Sequence, residues 1–160
     1  MVTYKKINII EMHPIGVIHS PFKSKSETPI QPVFSSSIGE VEVFSSYLDG
    51  LIDLDGFSHI ILIYYFNNTE NFQLKVKPFL DNKVHGLFST RHPNRPNPIG
   101  ISIVEIIQIS GNLITVKGID VIDLTPLLDI KPYIPDFDVR TSTRTGWYKN
   151  RNRNYPEIFE

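Results

Sequence analysis

The sequence predicts a mainly β, mostly antiparallel fold, a barrel or a sandwich with a few short helices. Short runs of alternating or β-branched residues recur along the chain, and turn residues separate them. The connections between these runs leave little room for the crossover helices of a parallel sheet. With 160 residues and 41% apolar content, the chain is expected to bury a single core.

Apolar patterning places the elements in order. Val41 and Val43 alternate with Glu40 and Glu42, which is typical of a half-buried strand. The continuous β-branched and aromatic run 58–66 instead predicts a buried central strand. The predicted strands are 14–20, 38–44, 58–66, 83–89, 99–107, 112–116 and 117–122, with one or two helical turns at 47–54 and loops at 23–32 and 120–138.

Single residues add detail to these elements. Gly111 with Asn112 is typical of a turn between two strands, and Gly118 indicates a bulge or a close backbone approach. His59 begins the predicted central strand, so we interpret it as a hydrogen-bonded core histidine.

Composition excludes several classes of function. The net charge of -1 gives no global basic field, so a nucleic acid partner would have to meet a local patch. The absence of cysteine excludes disulfides, thiolate metal sites and a cysteine nucleophile. Dinucleotide-binding, P-loop, serine-hydrolase and calcium-loop motifs are missing, and we expect no metal site. No signal peptide or membrane span is predicted, so we expect a soluble, cytoplasmic protein.

The most unusual stretch is 86–100, which reads GLFSTRHPNRPNPIG. Its prolines remove backbone donors and hold the chain in stiff, irregular geometry. Arg91 and Arg95 lie within five residues of each other on this stiff backbone, and a guanidinium fork matches carboxylate or phosphate. The stretch therefore predicts either an anion site with converging arginines or a surface loop whose arginines are solvated.

A second block, 120–138, combines aspartates with three prolines. Asp129 and Lys131 would share a face in an extended segment, where an ion pair is expected. The block is interpreted as a stiffened loop that either presents ligand-binding groups or only forms aspartate-based turns. After it, residues 139–160 form a basic and aromatic tail, which either contacts RNA or is solvated and partly disordered.

Several motifs in the same order resemble one family. The stretch 86–100 is followed by DLTP at 123–126 and DIKPY at 129–133, and GVIHSPF at 16–22, QP at 31–32 and GFSH at 56–59 precede it. This pattern resembles the TrmO family of tRNA adenosine N6-methyltransferases over residues 14–138. The expected organisation is a barrel domain at 1–138 and the basic and aromatic tail at 139–160.

The resemblance implies a small β-barrel methyltransferase that uses S-adenosylmethionine. It also implies a homodimer with the cofactor near the subunit interface. The family's substrate is the tRNA adenosine beside the anticodon that already carries a threonylcarbamoyl group, and its N6 is methylated. Such an enzyme needs no dinucleotide-binding motif, in agreement with the absence of one here.

The resemblance also implies roles for individual residues. The implied cofactor-binding residues are Gln31, Pro32, Asn67, Asn68, Arg91, Ile101, Asp123, Leu124 and Thr125. The implied substrate-side or architectural residues are Arg95, Asn97, Lys131 and Tyr133. We expect Arg91 or Arg95 to pair with a carboxylate of the cofactor or of the threonyl group. Asp123 or Asp129 is a candidate catalytic base, unless the N6 proton leaves to water.

Three residues depart from the family pattern. Asn67, His92 and Leu124 stand where relatives usually have histidine, serine and glycine, respectively. Longer bacterial relatives also carry an additional C-terminal domain. An alternative is therefore a non-catalytic S-adenosylmethionine-binding or RNA-binding module on the same barrel. A phosphate-ester hydrolase built on the arginine and aspartate loops has neither a metal set nor a nucleophile motif to support it.

Overall fold

The computed structural model describes residues 9–151, and within this range six strands close a barrel. The described residues form eight strands, which are β1 Gly16–His19, β2 Ile38–Val43, β3 His59–Tyr65, β4 Lys75–Val76, β5 His85–Gly86, β6 Ile99–Ser110, β7 Leu113–Lys117 and β8 Thr125–Pro132. Of these, β4 and β5 pair with each other outside the barrel. Around the wall the order is β1, β2, β7, β6, β3, β8, and every neighbouring pair is antiparallel. The predicted mainly β, antiparallel fold is confirmed as a closed barrel.

Helical segments are short and lie between the strands. The α-helix α1 is Pro135–Asp138, and the 3-10 helices are Pro32–Phe34, Ser45–Leu51, Leu54–Gly56, Leu87–Ser89 and Gly146–Asn150. The one or two helical turns predicted at 47–54 are confirmed by the 3-10 helix Ser45–Leu51, and a further 3-10 helix begins at Leu54. Within residues 9–151, no helix has the length and apolar character needed to cross a bilayer.

Alternation of side chains builds the barrel core. Val41 and Val43 of β2 are almost fully buried, whereas Glu40 and Glu42 face outward as predicted. On β3 every second residue is buried and the others are partly exposed, so only one face of this strand lies in the core. His59 is hydrogen-bonded as predicted, through its Nδ1 to Oγ of Ser58, but it is half-buried and does not lie in the core.

Two predicted strands are shorter than expected or missing. The segment predicted at 83–89 forms only the two residues of β5, which pair with β4 outside the barrel before a 3-10 helix begins. The strand predicted at 117–122 is absent, since β7 ends at Lys117. Gly118 then turns the chain with a φ of 94° and donates its N–H to the Ser37 carbonyl at 2.9 Å.

The block 120–138 contains a barrel strand, so its interpretation as a loop is wrong. β8 pairs with β1 on one side and with β3 on the other. Pro126 and Pro132 occupy its second and last positions, so the intervening residues retain the N–H groups that a ladder needs. The predicted pair of Asp129 and Lys131 is confirmed, with 2.7 Å between Oδ2 and Nζ.

The antiparallel order collects three connections at one end of the barrel. The register places the end of β1, the end of β3 and the start of β8 next to one another. The start of β6 lies beside the end of β3. The connections 20–37, 66–98 and 118–124 therefore share this end, which we call the motif end because it carries most of the motifs described above.

Candidate functional site

The motif end brings together residues that are far apart in the sequence. Arg91, from the connection 66–98, donates from Nη1 to Oε1 of Gln31 in the connection 20–37, at 2.5 Å. Pro32 follows directly and begins a 3-10 helix, for which Gln31 is the preceding cap residue. The Arg91 side chain is exposed, so its remaining N–H donors face solvent and are available to an anion.

Arg95 has a different role from Arg91. Its Nη1 lies within hydrogen-bonding distance of the carbonyls of Leu87, Thr90 and His92, at 3.5, 2.9 and 3.4 Å. Its guanidinium also lies 5.7 Å from the centre of the Phe88 ring. Arg95 therefore holds the proline-rich loop together, and the two arginines do not converge on one ligand as equivalent forks.

Asp123 anchors the third connection. Its carboxylate accepts hydrogen bonds from the Ser20 N–H at 3.0 Å and from Nζ of Lys23 at 2.6 Å. The Lys23 hydrogen bond, followed by the one from Ser20, lowers the pKa of Asp123 below its ordinary value. A carboxylate stabilised in this way is a weak proton acceptor, so the geometry favours an anchoring role over the predicted role as a base.

Leu124 occupies an unusual backbone conformation beside Asp123. It has a φ of 63°, a left-handed value that a side chain with a Cβ adopts at a conformational cost. The neighbouring Thr125 is buried and donates from Oγ1 to the Ile122 carbonyl at 2.6 Å. The turn thus has the backbone shape that a glycine would adopt freely, while the exposed Leu124 side chain covers its outer surface.

Two further predicted contacts lie close to the same end. Asn67 and Asn68 are exposed immediately after β3, at the start of the connection that carries Arg91. Ile101 lies near the start of β6 on the outer wall, where it pairs with Ile63 and is 49% exposed. Asn97 is exposed just before β6. Most of the predicted cofactor-binding residues therefore meet at the motif end.

The residues predicted on 129–133 follow β8 from its middle toward the other end of the barrel. Asp129 pairs with Ile63 on the outer wall, and Lys131 follows on the same strand. Tyr133 reaches the opposite end, where its N–H donates to the His59 carbonyl at 3.1 Å. Eight residues of extended chain separate Tyr133 from Thr125, or roughly 26 Å. Within one chain, Tyr133 is therefore distant from the motif end.

Sequence reasoning missed a buried polar chain beneath the motif end. The Tyr64 hydroxyl hydrogen-bonds to Oγ of Ser102 at 2.9 Å, and Ser102 donates to Oδ1 of Asp120 at 2.5 Å. Burial raises the pKa of Asp120 to about 7, although the Ser102 hydrogen bond and the charge of Arg91 act in the opposite direction. The available signal was Ser102, a polar residue at an inward position of β6.

Burial and the Asp120 charge also raise the pKa of Tyr64 well above its ordinary value. The charge of Arg91 lowers the pKa of both Tyr64 and Asp120, so its guanidinium interacts electrostatically with the buried polar chain. The polar chain thus lies within electrostatic range of the one predicted ligand-binding arginine that remains exposed.

We expect Asp120 to make the stability of the protein fall as the pH rises. Its pKa is 3.8 in the unfolded chain and about 7 when folded, so the folded state resists ionisation between these values. The stability that Asp120 contributes is complete below its unfolded pKa and is lost as the pH rises to its folded pKa. A shift of this size corresponds to about 4 kcal/mol.

Urea unfolding at a series of pH values, with wild type compared to Asp120→Asn, measures this loss. The free energy of unfolding of Asp120→Asn, relative to that of wild type, should increase from pH 4 to pH 7. Asp55→Asn removes the same charge from an exposed position and serves as the control. Parallel profiles for wild type and Asp120→Asn would contradict the prediction.

The described part of the C-terminal tail packs on the connection 66–98. Trp147 stacks on His85 with 4.8 Å between ring centres, and its Nε1 donates to the Ser89 carbonyl at 2.8 Å. The guanidinium of Arg151 lies 4.3 Å from the centre of the Tyr148 ring. The rest of the predicted tail, 152–160, lies outside the described residues.

Comparisons with known proteins match most of the chain. A model of the tRNA-methyltransferase O N-terminal domain matches residues 17–139. A protein of Pyrococcus abyssi named as a probable S-adenosyl-L-methionine-binding protein is 51% identical over 135 residues, which cover 84% of this chain and 73% of that protein. The mouse tRNA (adenine(37)-N6)-methyltransferase is 38% identical over 133 residues, which cover 78% of this chain and 31% of that protein.

Solved structures agree with these relatives. The crystal structure of TrmO from Pseudomonas aeruginosa has a TM-score of 0.72 and 32% identity, with 86% of this chain and 62% of that chain covered. This chain thus spans less than two thirds of that structure and less than one third of the mouse enzyme.

Proposed function

Because this chain belongs to the family of tRNA-methyltransferase O N-terminal domains, we propose that it is an S-adenosylmethionine-dependent tRNA methyltransferase. The proposed target is N6 of the adenosine beside the anticodon, in the form that carries a threonylcarbamoyl group. The observation that carries the proposal is the exposed Arg91, held by Gln31 at the end of the barrel where the other implied cofactor-binding residues meet. With tRNA as its substrate, the proposed location of the protein is the cytoplasm.

The chemistry of the motif end fits S-adenosylmethionine. This molecule presents a carboxylate, an ammonium group, ribose hydroxyls and an adenine. Arg91 is a suitable partner for the carboxylate, and the amides of Gln31, Asn67 and Asn68 offer donors and acceptors for the neutral groups. Thr125 is turned inward to a backbone carbonyl, so its proposed contribution is to shape the turn that approaches the ligand.

For methyl transfer the protein mainly has to align the methyl donor with the nucleophile, and it forms no covalent bond to either. When bound, S-adenosylmethionine would supply an electrophilic methyl group, whose bond to sulfur would break as the bond to N6 forms and N6 loses its proton. Arg91 orients the methyl donor through a fixed charged contact, and Arg95 keeps the loop beneath it rigid. Asp123 is already bound to Lys23 and Asp129 to Lys131, so neither carboxylate is free to act as a base, and solvent is the proposed acceptor of the proton.

A second copy of the chain is proposed to complete the site. Asp129 and Lys131 lie on the outer wall of the barrel, where Ile63 pairs with Asp129 on one side and with Ile101 on the other. The outward positions of β6 include the exposed residues Ile99, Ile101, Ile103 and Ile107. Such a row of large apolar residues suits burial against a partner, and a homodimer would bring Asp129 and Lys131 of one copy to the motif end of the other.

A non-catalytic S-adenosylmethionine-binding protein is the second candidate. Two features favour it. The Pyrococcus abyssi relative is named only for binding, and Leu124 has a left-handed φ where the family pattern has glycine. In this case the motif end would bind the same ligand without passing on its methyl group.

Incorporation of a labelled methyl group from S-adenosylmethionine into tRNA tests the proposal. The substrates are tRNA with and without the threonylcarbamoyl group, and we expect label only in the former, on the adenosine beside the anticodon. Specific activity should rise with protein concentration if two copies share the site. Binding of S-adenosylmethionine without label in either tRNA would instead support the second candidate.

A further inference from the structure

Charge is divided unequally between two parts of the molecule. Residues 67–98 and 139–151 together carry nine lysines and arginines and only two acids. The remainder carries seven lysines and arginines and fifteen acids. The near-zero net charge of the chain therefore hides a strongly basic part and a strongly acidic part. We call the two basic segments the basic lobe.

The fold brings the two segments of the basic lobe into contact. Trp147 of the second segment stacks on His85 of the first and donates its indole N–H to the Ser89 carbonyl. Arg95 organises the loop that follows Ser89 in the same lobe. Positive charge from segments about fifty residues apart is thus concentrated outside the barrel, and a local basic patch of this kind attracts polyanions.

The basic lobe contains a polar cleft of about 450 Å³. Its lining includes Asn71, Gln73, Lys75, Lys77, His92 and Asn94. The two lysines are exposed and one acid, Glu70, also lines the cleft. Amide side chains beside lysines offer donors and acceptors for a base edge next to cations for a phosphate.

His92 offers a hydrogen-bond donor in this cleft. Its burial, followed by the charges of Lys25 and Arg95, lowers its pKa and favours the neutral imidazole. The Asn94 N–H donates to Nδ1 of His92 at 3.2 Å, so the neutral ring carries its proton on Nε2. The ring therefore presents a neutral donor rather than another charge.

Aromatic side chains are exposed in the same lobe. Phe88 is 72% exposed with Arg95 beside its ring, and Phe72 is 46% exposed. Exposed aromatic rings among cations are typical of surfaces that bind unpaired nucleotides, because bases stack on the rings while phosphates contact the cations. A lipid surface fits this molecule less well, since the acidic remainder of the protein would be repelled by an extended anionic sheet.

We propose that the cleft in the basic lobe binds an unpaired nucleotide of the RNA substrate, with Lys75 and Lys77 contacting its phosphates. This inference rests on the proposed function, because that function identifies the bound RNA as the substrate. His92 follows Arg91 directly in the chain, so a nucleotide in the cleft lies next to the motif end. The cleft thus holds a neighbour of the target adenosine and positions the RNA loop for methylation.

Salt-dependent RNA binding tests this proposal. The probes are an anticodon stem–loop RNA and a fully paired RNA duplex of the same length. The variants are Lys75→Gln and Lys77→Gln, and Lys117→Gln on the barrel wall is the matched control. We expect each cleft variant to weaken binding of the stem–loop about fivefold at moderate salt, and to lower the slope of log K against log salt by about 0.7. Lys117→Gln should leave both values unchanged.

Two results would overturn the proposal. One is a salt slope in both cleft variants equal to that of Lys117→Gln. The other is an equal loss of affinity for the duplex, which would indicate a general electrostatic patch rather than a site for an unpaired nucleotide. Melting temperatures of all variants within about 2 °C of wild type exclude unfolding as the cause.

The same proteins separate this proposal from the proposed function. Lysine-dependent binding of the stem–loop without methyl transfer by wild type would support the cleft and reject the methyltransferase. Methyl transfer by wild type with unchanged salt slopes in the cleft variants would support the methyltransferase and reject the cleft. If the wild type binds no RNA at all, both proposals are wrong.

Discussion

Replacing Arg91 with alanine is expected to weaken binding of S-adenosylmethionine by about 30-fold or more. A charged hydrogen bond to a carboxylate contributes about 2 kcal/mol when its partner is desolvated, and a tenfold change in affinity corresponds to about 1.4 kcal/mol. Arg91 is exposed and bonds to Gln31 rather than to the barrel core, so its removal should leave folding intact. Calorimetric titration of the purified variant with S-adenosylmethionine measures the loss.

Two further variants distinguish the proposed fork from a general effect of charge. Arg91→Lys keeps the charge but loses the planar pair of donors, so we expect an intermediate loss. Arg144→Ala removes the same charge from an exposed position of the tail segment and should bind like wild type. If Arg91→Ala bound as tightly as Arg144→Ala, the assignment of the ligand carboxylate to Arg91 would be wrong.

Replacing Gly100 with alanine is expected to destabilise the fold by about 3 kcal/mol, which lowers the melting temperature by about 9 °C. Gly100 lies directly opposite Tyr64 in the β3–β6 ladder. A Cβ at this position would collide with Cε2 of the Tyr64 ring, would lie 2.6 Å from its Cζ, and would lie 2.8 Å from Cζ of Phe66. The ring cannot easily move away, because it is buried and its hydroxyl is bonded to Ser102.

Thermal unfolding of Gly100→Ala beside Gly86→Ala measures this effect. A Cβ at Gly86 meets nothing within 4 Å and its φ of -64° suits alanine, so this control should unfold like wild type. Combining Gly100→Ala with Tyr64→Leu removes the atoms in collision, and we expect the double variant to lose less stability than the sum of the single variants. Strict additivity would show that the ring is not the cause.

Displacement of the Tyr64 ring should also affect the buried polar chain beneath Arg91. In Gly100→Ala the ring has to leave the hydrogen bond that connects it to Ser102 and Asp120. The IG pair that begins β6 is therefore required for packing, and its glycine provides the space in which a buried polar chain forms beneath Arg91.

Local patterning in the sequence was sufficient where each residue acts through its nearest neighbours. Val41 and Val43 alternate with glutamates, and this alternation alone predicts the face of β2 that lies in the core. The prolines of the stretch 86–100 likewise predict an irregular segment, and the structure has only a short strand and one 3-10 turn before β6.

Patterning failed where prolines lie at the ends of a strand. Pro126 and Pro132 made 120–138 resemble a loop, because proline is excluded from central ladder positions. The structure accommodates them in the second and last positions of β8, where most of the ladder remains intact. Which positions receive a partner strand depends on closure of the barrel, and no local pattern encodes that closure.

The sequence by itself determined the β character of the chain, the stiff arginine loop and, through ordered motifs, the family. Only the tertiary structure decided that Arg91 is exposed while Arg95 is committed to carbonyls, and that Asp120 is buried while Asp123 is anchored by Lys23. The physical reason is that burial and hydrogen-bond partners set the charge and availability of a side chain, and in this barrel many of those partners come from strands and loops distant in the sequence.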